Sequence, residues 1–153
     1  MSRQEILDAI PHRDPFLLVD AIIERSDKRI VCEKTFQPGD WFFAGHYPGY
    51  PLVPGVLLCE AAMQCGAILL SHLLSGEGTL TGKVPVATRM NDVRFKRMVR
   101  PGEKLTLEVE LIERLADAFF LKAKVSVAGQ VVVRFEFACT ATKPGVNEPT
   151  LQR

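Results

Sequence analysis

One hundred and fifty-three residues make a single domain, long enough to bury a core without disulfide or metal staples. Nineteen basic and eighteen acidic residues leave a net charge of +1, so no global field favours nucleic acid or a membrane surface. The four cysteines, Cys32, Cys59, Cys65 and Cys139, form no CxxC pair and no zinc spacing with histidine. They read as buried, reduced thiols of a cytoplasmic protein.

The opening "MSRQEILDAI" has acidic residues and no long apolar core, and is not expected to be a secretory signal. Ser2 and Glu5 fit a capping box, with Ile6, Leu7 and Ile10 at helical spacing until Pro11 stops the helix. "PHRDPF" is then a loop. "LLVDAIIER" and "RIVCEKTF", separated by "SDK", predict a hairpin. Residues 37–55 hold four prolines and four glycines, which suit neither a helix nor a long strand. From Pro54 to about Leu74 the pattern is helical, with Ser75, Gly76 and Gly78 suiting the exit. Residues 56–70 are strongly apolar, but the run is short and contains Glu60 and Gln64. It reads as a buried helix rather than a membrane span.

The second half alternates. Leu105, Leu107, Val109 and Leu111 share one strand face; Leu121, Ala123, Val125 and Val127 share the next; Val133, Phe135, Phe137 and Cys139 share a third. Short turns join these strands, and another strand is expected around residues 84–99. The prediction is an α+β domain over residues 1–142, with five or six antiparallel strands curled around one long helix. The polar, proline-broken tail 143–153 is expected to be poorly ordered. A helix apolar nearly all round exceeds what one such sheet can cover, which calls for a second subunit.

Several residues are candidates for chemistry. Glu60 and Gln64 are four apart, hence on one helix face. A carboxyl in an apolar wall can retain its proton and act as a general acid, or it can pair with an arginine across a subunit interface. His46 lies in an aromatic-rich loop with Trp41, Phe42, Phe43 and Tyr47, where it can serve as a base or simply bond a backbone carbonyl. His12 and His72 have weaker claims, a loop position and a helix C-terminus. Gly55 opens the helix, where free N–H groups can polarise a thioester carbonyl; it is equally compatible with a plain helix start. "RFKRMVR" sets Arg94, Lys96, Arg97 and Arg100 in seven residues, either to dock an acidic partner or as a solvated edge strand.

Three ordered segments carry a family resemblance: "IPHRDPFLLVD" (10–20), "GHYPGYPLVPGVLLCEAAMQ" (45–64) and "NDVRFKRMVRPGEKLTLEVEL" (91–111). Together, over about residues 5–142, the chain resembles the 3-hydroxyacyl-[acyl-carrier-protein] dehydratases. The resemblance implies the hot-dog fold, a catalytic pair of His46 and Glu60, a carbonyl-binding N–H at Gly55, and Gln64 supporting the glutamate. Phe42, Phe43, Tyr47 and Leu57 fall near the pocket mouth, and Arg94, Lys96 and Arg97 become candidates for docking an acidic acyl carrier protein. It further implies homodimers or trimers of dimers whose sites combine His46 of one chain with Glu60 of the other, and no cofactor or metal. Glutamate at position 60 favours a plain dehydratase over the aspartate-bearing dehydratase/isomerase branch. Tyr47 stands where phenylalanine is usual, Met98 replaces a frequent proline, and "VPVATRMNDV" departs from the usual aromatic–glycine approach to its strand. The alternatives are a hot-dog acyl thioesterase, a non-catalytic acyl-binding subunit, or the same dehydration in a secondary lipid or polyketide pathway.

Overall fold

The computed structural model describes residues 1–76 and 82–143. Gly78, one of the expected exit glycines, and the tail from Pro144 onward lie outside the described residues. Helix α1 (Arg3–Ala9) is capped by Ser2, whose hydroxyl accepts from Glu5 N, and Ile10 turns extended ahead of Pro11. A hairpin follows, β1 (Ala21–Arg25) and β2 (Arg29–Thr35), then a loop with one 3-10 turn (Phe43–Gly45). Helix α2 spans Gly55–Ser75. The chain ends in β3 (Val84–Phe95), β4 (Lys104–Leu115), β5 (Ala118–Val127) and β6 (Gln130–Thr142).

These strands form one antiparallel sheet in the order β1-β2-β4-β5-β6-β3, and α2 touches every strand from β2 to β6. The arrangement is the hot-dog fold that the alternation predicts: apolar side chains every second residue line the inner face, and the helix fills it. Leu105, Leu107, Val109, Val125 and Phe137 are buried against Leu58, Cys65, Ile68 and Leu69. The β5–β6 turn is Ala128–Gly129 with φ of 47° and 80°, the left-handed pair a two-residue hairpin demands.

Two departures from simple alternation have local causes. The first hairpin begins at Ala21, not Leu17, because Phe16 O and Leu18 N bond the Gln64 side chain instead of a neighbouring strand. In β6, Val132 and Val133 are both fully buried, because a register shift opposite Val125 and Ser126 inserts an extra residue. The helix is long and apolar enough to cross a bilayer by composition, but most of it is buried in its own sheet. The cysteines are all free and buried.

Gly66 sets how closely helix and sheet approach. A Cβ built there would lie 2.6 Å from Phe137 Cζ and 3.3 Å from Val109 Cγ1. Alanine would gain about 1 kcal/mol of helix propensity. Overpacking a core costs about 1–3 kcal/mol, and Phe137, itself buried, has little room to yield. Packing should win. Gly66→Ala is expected to lower the urea unfolding midpoint; an unchanged or higher midpoint would show that the ring moves freely.

Candidate active site

The His46 loop is built from the inside out. Phe42 and Phe43 are buried, with ring centroids 4.5 Å apart, and anchor the segment to the core. The 3-10 turn ends at His46, whose N–H donates to Phe43 O. His46 Nδ1 lies 3.0 Å from Leu52 O. Only an Nδ1–H can make that bond, so in the neutral ring the lone pair lies on Nε2, the tautomer a general base requires. The carbonyl partner that the sequence allowed for this histidine is thus present on one ring nitrogen, and it leaves the other nitrogen without that bond. Tyr47 is exposed, has φ of 49°, and meets the imidazole edge-on at 4.9 Å.

His46 faces a cavity of about 640 Å³ whose walls include Leu52, Gly55, Leu58, Phe95 and Met98. Gly55 begins α2, and its N-cap, Pro54, has no capping side chain. Leu57 N and Leu58 N both reach back to Pro54 O, which leaves the Gly55 and Val56 N–H groups free among the described residues. A Cβ on Gly55 would sit 2.6 Å from Phe95 Cε1. Glycine is required there because the Phe95 ring lies directly on the helix start.

Glu60 belongs to a different cavity, of about 80 Å³, with Gln64, His12 and Cys139. Gln64 is the only buried polar side chain among the described residues. Its Oε1 accepts from Leu18 N at 2.8 Å; its Nε2 donates to Phe16 O at 2.9 Å and Glu60 Oε1 at 3.0 Å. The Leu18 N–H fixes which end of the carboxamide is oxygen, so the group turned toward Glu60 is a donor. His12 Nε2 stands 3.7 Å from the same Glu60 oxygen. Sequence alone does not single out this histidine, since a loop residue shows no periodicity to tie it to a helix face. Burial raises the Cys139 thiol to about 11, so it stays protonated.

Within one chain, then, His46 and Glu60 line separate cavities. Phe43 lines neither. The cation cluster also divides. Lys96 and Arg97 border the His46 cavity, whereas Arg94 lies in an outer-face groove with Lys122 and Arg134. Arg97 is held by Glu103 at 2.6 Å, and Glu103 also accepts Arg100 N at 2.8 Å. Arg97 beside it keeps the Glu103 carboxyl below the usual range. Arg100 donates to Tyr50 Oη at 2.8 Å. Lys96 has no ion-pair partner among the described residues. His72 sits in the last turn of α2, 3.6 Å from Asp27.

The Gln64 bonds carry a stability prediction. Gln64→Leu keeps the volume but strips partners from Leu18 N and Phe16 O, at about 1–3 kcal/mol for each buried group left unpaired. Urea unfolding should register that loss; a stability equal to the parent would mean that water replaces the carboxamide.

Comparison with known proteins places the chain in a family. A FabA-like domain profile matches residues 10–136. The 3-hydroxyacyl-[acyl-carrier-protein] dehydratase FabZ of Hydrogenobaculum sp. is 45% identical over 134 residues, covering 86% of this chain and 88% of that protein. FabZ of Petrotoga mobilis is 38% identical over 136 residues, covering 89% and 94%. Among solved structures, the dehydratase heterocomplex ApeI:P of Xenorhabdus doucetiae superposes with a TM-score of 0.77 at 16% identity, covering 91% of each chain. A hypothetical thioesterase with coenzyme A from Streptococcus pneumoniae superposes at 0.65 and 13% identity, over 92% of this chain and 93% of that one. At those identities the two structures speak for the fold alone. With the family profile and the FabZ relatives both spanning most of its length, the chain belongs to the FabA-like family, among the 3-hydroxyacyl-[acyl-carrier-protein] dehydratases.

Proposed function

We propose that the protein dehydrates (3R)-3-hydroxyacyl thioesters carried on acyl carrier protein to trans-2-enoyl thioesters, as a cytoplasmic enzyme of fatty acid or related lipid biosynthesis. The observation that carries this reading is the His46 imidazole: its Nδ1 is occupied by Leu52 O, and the ring lines a largely apolar cavity together with Gly55 at the helix start. The acyl chain lies along the Leu52, Leu58 and Val99 wall. His46 Nε2 takes the proton from the carbon next to the carbonyl, and the Gly55 N–H steadies the oxygen as it gains charge. Glu60 gives its proton to the departing hydroxyl, and water leaves. No cofactor enters this sequence of proton transfers.

Glu60 reaches this substrate from a second subunit. The placement of His46 and Glu60 in separate cavities of one chain supports a shared site, as does the apolar surface of β3. Val86, Met90, Val93 and Phe95 are exposed along this unpaired edge, and Val56 at the helix start is 72% exposed. A homodimer joined through β3 covers them; three such dimers would form a hexamer. Lys96, at the cavity rim, is the leading contact for the acidic carrier protein, supported by Arg94 on the adjoining face; Arg97 stiffens the rim through Glu103. Tyr47 shapes the entrance, and Phe43 supports the loop from behind.

With a 3-hydroxybutyryl thioester, the purified protein should form enoyl product without releasing thiol, which a thioesterase would release. His46→Ala and Glu60→Gln should each lower kcat by at least about 100-fold while the oligomer persists; near-full activity in either overturns the assigned pair. Subunit mixing tests the shared site. After exchange, half the dimers of a His46→Ala and Glu60→Gln mixture pair one of each, and one of their two sites is intact. The mixture should recover about a quarter of parental activity. A site formed within one chain would recover none.

A further inference from the structure

We propose that His12 is a positioning residue for Glu60: a neutral imidazole whose Nε2–H, together with the Gln64 carboxamide, marks Glu60 Oε1 as the accepting oxygen and leaves Oε2 to carry the acidic proton. The inference rests on the dehydratase reading for its catalytic consequence, but its structural basis is independent of it.

His12 and Glu60 line the same small cavity, with His12 Nε2 3.7 Å from Glu60 Oε1. That separation is longer than a formed hydrogen bond, and contacts of this kind tighten when substrate closes the site. The opposite ring nitrogen decides the tautomer. His12 Nδ1 is buried and has no hydrogen-bond partner among the described residues. A bare lone pair there costs less than an N–H with nothing to accept it, so the ring proton belongs on Nε2, toward the carboxyl. The same consideration opposes the doubly protonated ring, which would bury an unpaired donor on Nδ1. Phe16 lies nearly parallel to the imidazole, at 25° and 6.5 Å between ring centroids.

Two N–H groups therefore converge on one carboxyl oxygen. Gln64 Nε2 is 3.0 Å from Oε1, and its orientation is dictated by Leu18 N. A protonated carboxyl accepts at its carbonyl oxygen and carries hydrogen on the other, so the acidic proton is assigned to Oε2. The other groups facing this site do not compete. Cys139, from β6, is a thiol whose proton burial retains, and β3 contributes Pro85 and Ala87. Arg13, next to His12, spends its guanidinium on the carbonyls of Leu7, Ile10 and His12.

The test uses the intact oligomer and two readouts. An N–H directed at a carboxylate favours its charged form, so removing it makes Glu60 hold its proton to higher pH. His12→Phe should move the alkaline limb of the kcat–pH profile upward by about half a unit or more, and His12→Gln, which restores an N–H, should return it toward the parental position. His12→Met supplies the donor-free comparison if the phenylalanine variant does not fold. An unmoved limb in the donor-free variant, whatever happens to kcat itself, overturns the proposal. The second readout needs no activity. The chain has three histidines, and a nitrogen-15 spectrum of the imidazoles should show the His12 Nδ1 unprotonated and its Nε2 protonated at neutral pH. A doubly protonated ring, or the opposite tautomer, refutes the assignment. A parent enzyme inactive on hydroxyacyl thioesters would defeat the dehydratase reading and leave the spectrum to judge this one.

Discussion

The carboxamide of Gln64 is the fixed point from which the site is built. A primary amide inside an apolar helix–sheet interface is tolerable only when its hydrogen bonds are made. Here one oxygen and one nitrogen satisfy Leu18 N, Phe16 O and Glu60 Oε1 together. Those bonds do three things at once. They hold residues 16–18 off the sheet, seat that loop against α2, and orient a carboxyl that would otherwise turn freely about its last torsion. The loop brings His12 with it. In the proposed reaction, a carboxyl oriented in this way by a donor on one oxygen gives up the proton on the other without reorganisation.

The helix start answers to a different constraint. Proline at position 54 cannot supply a capping side chain, so the first N–H groups of α2 remain available, and Gly55 adds no Cβ between them and the cavity. Around this opening the walls are stiffened by pairs that are themselves peripheral. Val53 N donates to Val99 O, joining the His46 loop to the segment after β3. Arg97 and Glu103 clamp that segment to the β3–β4 turn. The Arg97–Glu103 clamp depends on ionised Glu103, whose folded-state affinity for protons is depressed. Its contribution is thus present above the ordinary carboxylate range and is lost as the pH falls through the lowered value.

Much of this was legible in the chain, for reasons that differ by element. Strands β4, β5 and β6 announced themselves because one face is buried and one is wet, the condition under which period-two alternation appears. The apolar run of α2 declared a buried helix, and Glu60 and Gln64 stood out because polar residues in such a run must be explained. What stayed hidden depends on contacts between distant segments. The bulge that buries both Val132 and Val133 is a matter of pairing with β5, and nothing in "QVVVRF" announces it. The division of the cation cluster follows from where β3 ends, at Phe95, which turns Lys96 and Arg97 to the cavity while Arg94 stays on the outer face. The proximity of His12 to Glu60 is invisible in the chain because it joins a loop to a helix forty-eight residues away, held by Gln64 bonding Phe16 O.

Helical geometry explains why one chain separates the groups that the proposed reaction needs together. Gly55 and Glu60 are five residues apart on α2, which places them about 7.5 Å apart along the axis and about 140° apart around it. An N–H at the helix start and a carboxyl at position 60 therefore look out on different sides, as the two cavities show. No rotamer of Glu60 removes an offset that the backbone imposes. In the proposed dimer a two-fold axis does, by setting the carboxyl side of one helix against the amino end of its mate and generating two equivalent sites in the same step. On this reading the apolar edge at β3 is as much a part of catalysis as the histidine. In that proposed dimer the apolar edge that one sheet leaves exposed is the surface that aligns Glu60 of one subunit with His46 of the other.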